Sequence, residues 1–233
     1  MTTKHPAPDW APTASPTALR HRADLLRDIR SFFADREVLE VETPILSQAG
    51  NSDPGMEQFG TRDDRWLRTS PEYALTRLLA AGEFDIYDLG RVFRAGESGP
   101  RHNREFTLLV WYRRGWPYPR LMDEVVDLIT HCGQRFDRQW KVQHVTYRDW
   151  LKDTAGIDPL RDTAEAMASN LERAGVAYPD LRNLDRDACL DLAVTHVAQP
   201  ALPPDALTLV SLYPASQAAL ARLHPEDPRF ADR

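Results

Sequence analysis

The chain has 233 residues, 42% hydrophobic and 27% charged, a balance that excludes an intrinsically disordered protein and can bury one substantial core with appendages. A formal net charge of −6 argues against a surface built to neutralise nucleic-acid phosphates. No apolar run approaches membrane-spanning length and the N-terminus lacks the basic-then-apolar layout of a signal peptide, so no membrane association and a cytoplasmic location are expected.

Residues 1–18 read as a flexible arm, punctuated by Pro6, Pro8, Pro12 and Pro16, with Trp10 its main apolar residue. From Leu19 the pattern is helical: Leu19, Ala23, Leu26, Ile29 and Phe33 recur on one face, with Arg and Asp opposite. A short strand through Leu39–Thr43 stops at Pro44. The segment Ser47–Pro54 is polar and turn-rich, and Met56–Thr61 and Arg65–Thr69 have strand character. A punctuated helix follows, with Ser70 as N-cap, Pro71 at the first helical position and Gly82 at the C-terminal cap. Glu72 then sits in the first turn, where the helix dipole favours a carboxylate. Tyr87 to Arg113 reads as two antiparallel strands joined by a charged loop, with Gly96, Gly99 and Pro100 marking the connection. A helix from about Pro119 to Phe136 turns Leu121, Val125, Leu128, Ile129 and Cys132 inward. Residues 150–200 look like a helical insertion, with helices at Thr163–Ala174, closed by Gly175, and Leu184–Val197. Thr208–Tyr213 reads as a strand, and Pro214-Ala215-Ser216-Gln217 turns into a short helix. Cys132 and Cys189 lie far apart in apolar, helical surroundings and read as buried reduced thiols.

The long hairpin carries the chemistry. Its first strand ends in Phe93-Arg94, and its loop presents Arg101, His102, Asn103 and Arg104. Arginine forks neutralise phosphate, while an aromatic ring and an amide can take a base, so the set suits a nucleoside triphosphate. The alternative is a solvated hairpin tip. Rival chemistries leave no trace: there is no phosphate-binding loop with a Lys-Ser/Thr ending, no dinucleotide fingerprint, no zinc-protease helix and no nucleophile elbow at Gly96-Glu97-Ser98-Gly99.

Phe93-Arg94 together with Arg101-His102-Asn103-Arg104-Glu105-Phe106-Thr107 resembles motif 2 of the class II aminoacyl-tRNA synthetases, in its lysyl branch. Asp35-Arg36-Glu37-Val38-Leu39-Glu40-Val41-Glu42-Thr43-Pro44 resembles motif 1, and Thr69-Ser70-Pro71-Glu72-Tyr73 followed by Arg77-Leu78-Leu79 resembles the lysyl-branch segment that holds the amino acid. The resemblance implies an α+β domain over 19–233, an antiparallel sheet flanked by helices, with motif 1 at about 19–44 and motif 2 at about 87–113. It implies a homodimer formed through motif 1. Arg94 would bridge the ATP α-phosphate and the substrate carboxylate, with Ala95, Gly96 and His102 on the ATP side, Asn103 contacting the adenine and Phe106 stacking on it. A charge-assisted hydrogen bond of the Arg94 kind contributes about 1.5–3 kcal/mol. Ser70, Pro71, Glu72 and Tyr112 would hold the amino acid, a carboxylate and a phenol suiting a ligand with two ammonium groups.

Within the branch, catalytic motifs that begin directly after a short arm resemble stand-alone paralogues. These activate (R)-β-lysine or lysine with ATP and attach it to a lysine of elongation factor P. That implies ATP as cosubstrate, elongation factor P as partner and no role for tRNA. Two alternatives stay open: a ligase acting on tRNA, and a non-catalytic synthetase-like domain that binds a nucleotide or a partner. The chain departs from the pattern at three places. Arg94-Ala95-Gly96 stands for Arg-x-Glu, with Glu97 displaced by one; Val110 stands for a glutamate; and Glu37 stands for a glycine. Motif 3 and the acidic ligands of the family's Mg2+ have no match, so a domain ending before motif 3, with no metal site, is expected.

Overall fold

The computed structural model describes residues 10, 12–53, 55–82, 84–99 and 102–233. Much of the expected arm, and the loop residues Pro100 and Arg101, lie outside the described residues. The fold is α+β and divides into two compact units, Met1–Trp116 and Pro117–Arg233.

The first unit begins with α1 (Pro16–Ala34), started by Ser15, whose Oγ accepts from the Ala18 amide, and by Pro16, which needs no amide partner in the first turn. Its predicted apolar face is covered only in its C-terminal half. Phe32 and Phe33 are fully buried, whereas Leu19 is 55% exposed. The helix closes in a Schellman turn: the Val38 amide reaches the Phe33 carbonyl and the Glu37 amide that of Ala34. Glu37 therefore takes φ +55°, the left-handed conformation that favours glycine.

Then follow β1 (Leu39–Glu40), β2 (Leu46–Ser47), β3 (Trp66–Leu67), α2 (Glu72–Ala81), β4 (Ile86–Phe93) and β5 (Glu105–Tyr112). The main sheet runs β1–β4–β5, with β1 parallel to β4 and β4 antiparallel to β5. The hairpin register runs from Ile86↔Tyr112 to Phe93↔Glu105 without a bulge. Phe33 stacks on Tyr87 at 4.5 Å between ring centroids, tying α1 to the sheet. Met56–Thr61 forms no named strand. The Gln58 side chain bonds the Asn51 backbone twice, its Oε1 accepting from the amide and its Nε2 donating to the carbonyl, an arrangement that competes with a ladder, and a bridge forms between Gly60 and Trp66.

The second unit comprises α3 (Tyr118–Gln134), β6 (Lys141–Thr146), α4 (Tyr147–Ala155), α5 (Ala164–Arg173), α6 (Arg186–Ala193), β7 (Ala206–Ser211), β8 (Tyr213–Pro214) and β9 (Phe230–Ala231). β6 pairs in parallel with β7, and the helical crossover between them supplies the core. Tyr147, Leu151, Ile157, Met167, Leu171 and Leu190 are its fully buried centre. The caps fall where the sequence puts them: Thr163 Oγ1 accepts from the Ala166 amide, and Gly175, at φ +81°, ends α5. Asp185 caps α6, which passes into a π-helical turn at Val194–Ala198. Cys189 is buried and desolvation raises its thiol pKa, while Cys132 is only partly buried. β6 was not anticipated: its two valines, Val142 and Val145, lie three apart and give no period-2 signal. No described helix is long and apolar enough to cross a membrane.

Candidate functional site

The turn into α2 builds one side of the site. Pro71 already has helical dihedrals (φ −80°, ψ −2°), so Ser70 acts as the cap, its Oγ accepting from the Glu72 amide at 3.3 Å. Pro71 is buried, and its carbonyl receives the Ala74 and Leu75 amides. Glu72 thereby projects from the first turn, where Tyr112 at the end of β5 donates its hydroxyl to Oε1 at 3.2 Å. Burial first, and the Glu72 carboxylate second, push the Tyr112 phenol up to about 12. The hydroxyl therefore stays a neutral donor across the physiological range.

Arg94, one residue beyond β4, forms the other side. Its amide pairs with the Arg104 carbonyl, continuing the hairpin by one step. Its side chain is fixed at three points. Nε donates to the Thr69 carbonyl at 3.2 Å, Nη1 pairs with Glu97 Oε1 at 2.8 Å, and the guanidinium lies 5.1 Å from the Phe106 ring centroid. Glu97, displaced by one in sequence, thus still meets Arg94. Among the described residues Nη2 has no protein partner and remains available to an anion. Ala95 donates its amide to the Glu57 carbonyl at 3.0 Å. Gly96 faces the Glu57 side chain, since a Cβ there would stand 3.2 Å from Glu57 Oε2. His102 pairs with Gly99 through reciprocal backbone bonds and is exposed, as is Asn103.

The structure thus joins Arg94, Phe106 and the Thr69 carbonyl in one cluster and Ser70, Glu72 and Tyr112 in the adjoining one. Among the described residues, no hydrogen bond joins the side chain of His102 or Asn103 to either cluster. Val110 sits in β5 opposite Asp88.

Sequence reasoning missed the layer beneath. Arg68 and Asp88 form a buried, bidentate ion pair, with Nη1–Oδ2 at 2.9 Å and Nη2–Oδ1 at 3.1 Å and side-chain exposures of 7% and 3%. The Thr43 amide and hydroxyl both donate to Asp88 Oδ2, at 3.1 and 2.7 Å. One signal was present: two opposite charges inside the apolar runs Trp66-Leu67-Arg68 and Tyr87-Asp88-Leu89, with Gly90 beside the second. Asn51 was missed as well; its amide donates to Thr69 Oγ1 and its Oδ1 accepts from the Tyr73 hydroxyl, each at 2.9 Å. A cavity of about 440 Å³ opens here, lined by Asn51, Gln58, Thr69, Ser70, Tyr73 and Arg77 among others; Arg94, Glu72 and Tyr112 are not in its wall. Thr69 and Ser70 belong both to the cavity wall and to the hydrogen-bonded cluster. No group of three or more His, Cys, Asp or Glu among the described residues could hold a metal ion. Among the described residues no ligand set fits the Mg2+ implied by the resemblance.

The sequence matches the family model described as tRNA synthetases class II (D, K and N) over residues 4–227. It is 40% identical, over 97% of its length and 71% of the relative's, to a Vibrio cholerae protein named elongation factor P–(R)-beta-lysine ligase. Proteins of the same name from Histophilus somni and Haemophilus influenzae are 39% and 36% identical, each over 96% of this chain and 70% of the relative.

Proposed function

This chain belongs to the class II tRNA synthetases of the D, K and N type, a family of ligases, and from that premise we propose that it activates lysine or (R)-β-lysine with ATP and transfers it to a lysine of elongation factor P. In the first step a carboxylate oxygen of the amino acid attacks the α-phosphorus of ATP. The bond from that phosphorus to the bridging oxygen breaks, pyrophosphate leaves and an acyl-adenylate remains. In the second, the neutral ε-amine of the acceptor lysine attacks the acyl carbon, AMP leaves, and the amine releases its proton as the amide forms.

The observation that carries this reading is the Arg94–Thr69 hydrogen bond. It couples the cation that would face the α-phosphate to the segment that would hold the amino acid. Arg94 Nη2 is left to bind the phosphate and the incoming carboxylate, lowering the repulsion between two anions. Phe106 and Asn103 would receive the adenine. Glu72 and the neutral Tyr112 hydroxyl would receive an ammonium group of the amino acid, with Ser70 and Pro71 fixing the turn that presents them. Dimerisation through α1 and β1 is supported by apolar residues left open on both, Leu19 and Leu39, at 55% and 50% exposure. The acidic charge balance supports a protein rather than a tRNA acceptor.

A second reading, a domain that binds nucleotide or a partner without turning over, is favoured by Val110 and Gly96 standing where the family has carboxylates. ATP–pyrophosphate exchange separates the two. Exchange stimulated by (R)-β-lysine or lysine, and reduced on the order of 10²–10³-fold in Arg94→Ala, is the expected result. A folded parent without exchange, indistinguishable from Arg94→Ala, would leave the second reading.

A further inference from the structure

Arg68 is bonded through every nitrogen of its guanidinium. Nε donates to the Arg91 carbonyl at 2.8 Å. Nη1 is shared between the Thr43 carbonyl (3.1 Å), Thr43 Oγ1 (2.5 Å) and Asp88 Oδ2 (2.9 Å), and Nη2 closes the fork on Asp88 Oδ1 at 3.1 Å. Its backbone is pinned as well, the amide to the Ile45 carbonyl at 2.8 Å and the carbonyl to the Phe93 amide at 2.9 Å. The fold clears a place for this pair: a Cβ on Gly90 would fall 2.2 Å from Arg68 Nη2 and 2.8 Å from Asp88 Oδ1.

A buried ion pair is a weak way to gain stability, because apolar residues of similar volume fill the same space without desolvating two charges. What the fork supplies is orientation, since a bidentate pair fixes both distance and plane. The residue it orients is the last before the site. Thr69, next in the chain, gives its carbonyl to Arg94, and Ser70 caps the turn that presents Glu72 to Tyr112. On the other strand, Arg91 and Phe93 lead directly into Arg94. We propose that the Arg68–Asp88 pair is a positioning device, setting the Thr69–Glu72 segment against the end of β4 so that the amino-acid and phosphate sides of the site meet in register. The proposal rests on the functional reading above. Neither residue touches substrate; both act through Thr69 and Arg94.

The test uses the full chain with Arg68→Met/Asp88→Leu, which removes both charges together; it is expected to fold with a melting temperature below the parent's, because Thr43 and the Arg91 carbonyl lose partners. A displacement of about an ångström costs on the order of 100-fold in turnover, so kcat for pyrophosphate exchange should fall by about that factor. The Kd for ATP alone should stay within about 3-fold. Exchange within about 3-fold of the parent in the folded double variant overturns the proposal. Should that variant not fold, Arg68→Lys keeps the charge and loses the fork. About a 10-fold loss of kcat at the parental melting temperature is then expected, and an unchanged kcat overturns the proposal. A parent without exchange refutes the functional reading instead. The pair is then judged by hydrogen exchange at the Phe93 amide, which bonds to the Arg68 carbonyl: loss of protection in the double variant supports positioning, and unchanged protection overturns it.

Discussion

The two units solve the problem of a folded core in opposite ways. In the second, twelve buried residues from α4, α5, α6, the segments between them and the π-helical turn after α6 form one continuous cluster, from Tyr147 to Ala198; among the described residues, Tyr147 Oη and Trp150 Nε1 are buried in it without a partner. In the first, the apolar centre is thinner, built around Phe32, Phe33, Leu75, Ile86 and Val92, and Asp28, Thr43, Arg68, Thr69 and Asp88 are buried with it. A dry core tolerates small shifts of its side chains because apolar contact is non-directional. A hydrogen-bonded core holds specific atoms at specific distances and is costly when one partner is lost. The candidate site lies in the unit with the directional core, where atomic placement matters most.

The sharpest way to break this contrast is to remove one partner from each core. Asp88→Ala leaves the Arg68 guanidinium buried without its carboxylate and should cost about 3–5 kcal/mol, read as loss of hydrogen-exchange protection in β4 and β5. Leu171→Ala, at a fully buried position of α5, should cost about 2–5 kcal/mol and loosen α5 and α6 amides. If both changes lowered protection equally everywhere, the two units would not be distinct in the way their cores suggest. Gly90→Ala drives a methyl group into the Arg68–Asp88 fork and should cost about 1–3 kcal/mol, measured as a shift in urea midpoint. Glu37→Gly should stabilise by about 1 kcal/mol, because it relieves a left-handed conformation at the end of α1; an unchanged midpoint would mean that the Glu37 side chain offsets the strain.

The smallest effect is a titration. The folded Tyr112 phenol is raised from 10.0 to about 12, by burial first and by Glu72 second. A raised pKa means that the folded state holds its proton longer than the unfolded chain. Its stabilising contribution is therefore complete below pH 10 and is lost as pH rises from 10 towards 12. Ultraviolet titration should show one tyrosine fewer ionising near pH 10 than in the unfolded protein on account of this residue. Tyr112→Phe should abolish that component, and Glu72→Gln should lower the midpoint.

Much of this architecture is written in short-range pattern. The hairpin from Tyr87 to Arg113 follows from apolar and aromatic arms around a Gly-containing loop, the start of α2 from Ser70 and Pro71, and the ends of α5 from Thr163 and Gly175, because caps and turns are decided within four or five residues. The family, too, is legible, since ordered short motifs carry it. What the sequence by itself could not decide are relations between groups far apart in the chain. Arg94 finds the Thr69 carbonyl, 25 residues away, only because the end of β4 lies against the turn into α2. Arg68 and Asp88, twenty residues apart, look like two charges in apolar runs until β4 and the end of β3 are laid side by side. Local preference fixes dihedrals one turn at a time; burial and directional bonding between distant residues exist only after the chain has closed on itself, and there the site acquires its geometry.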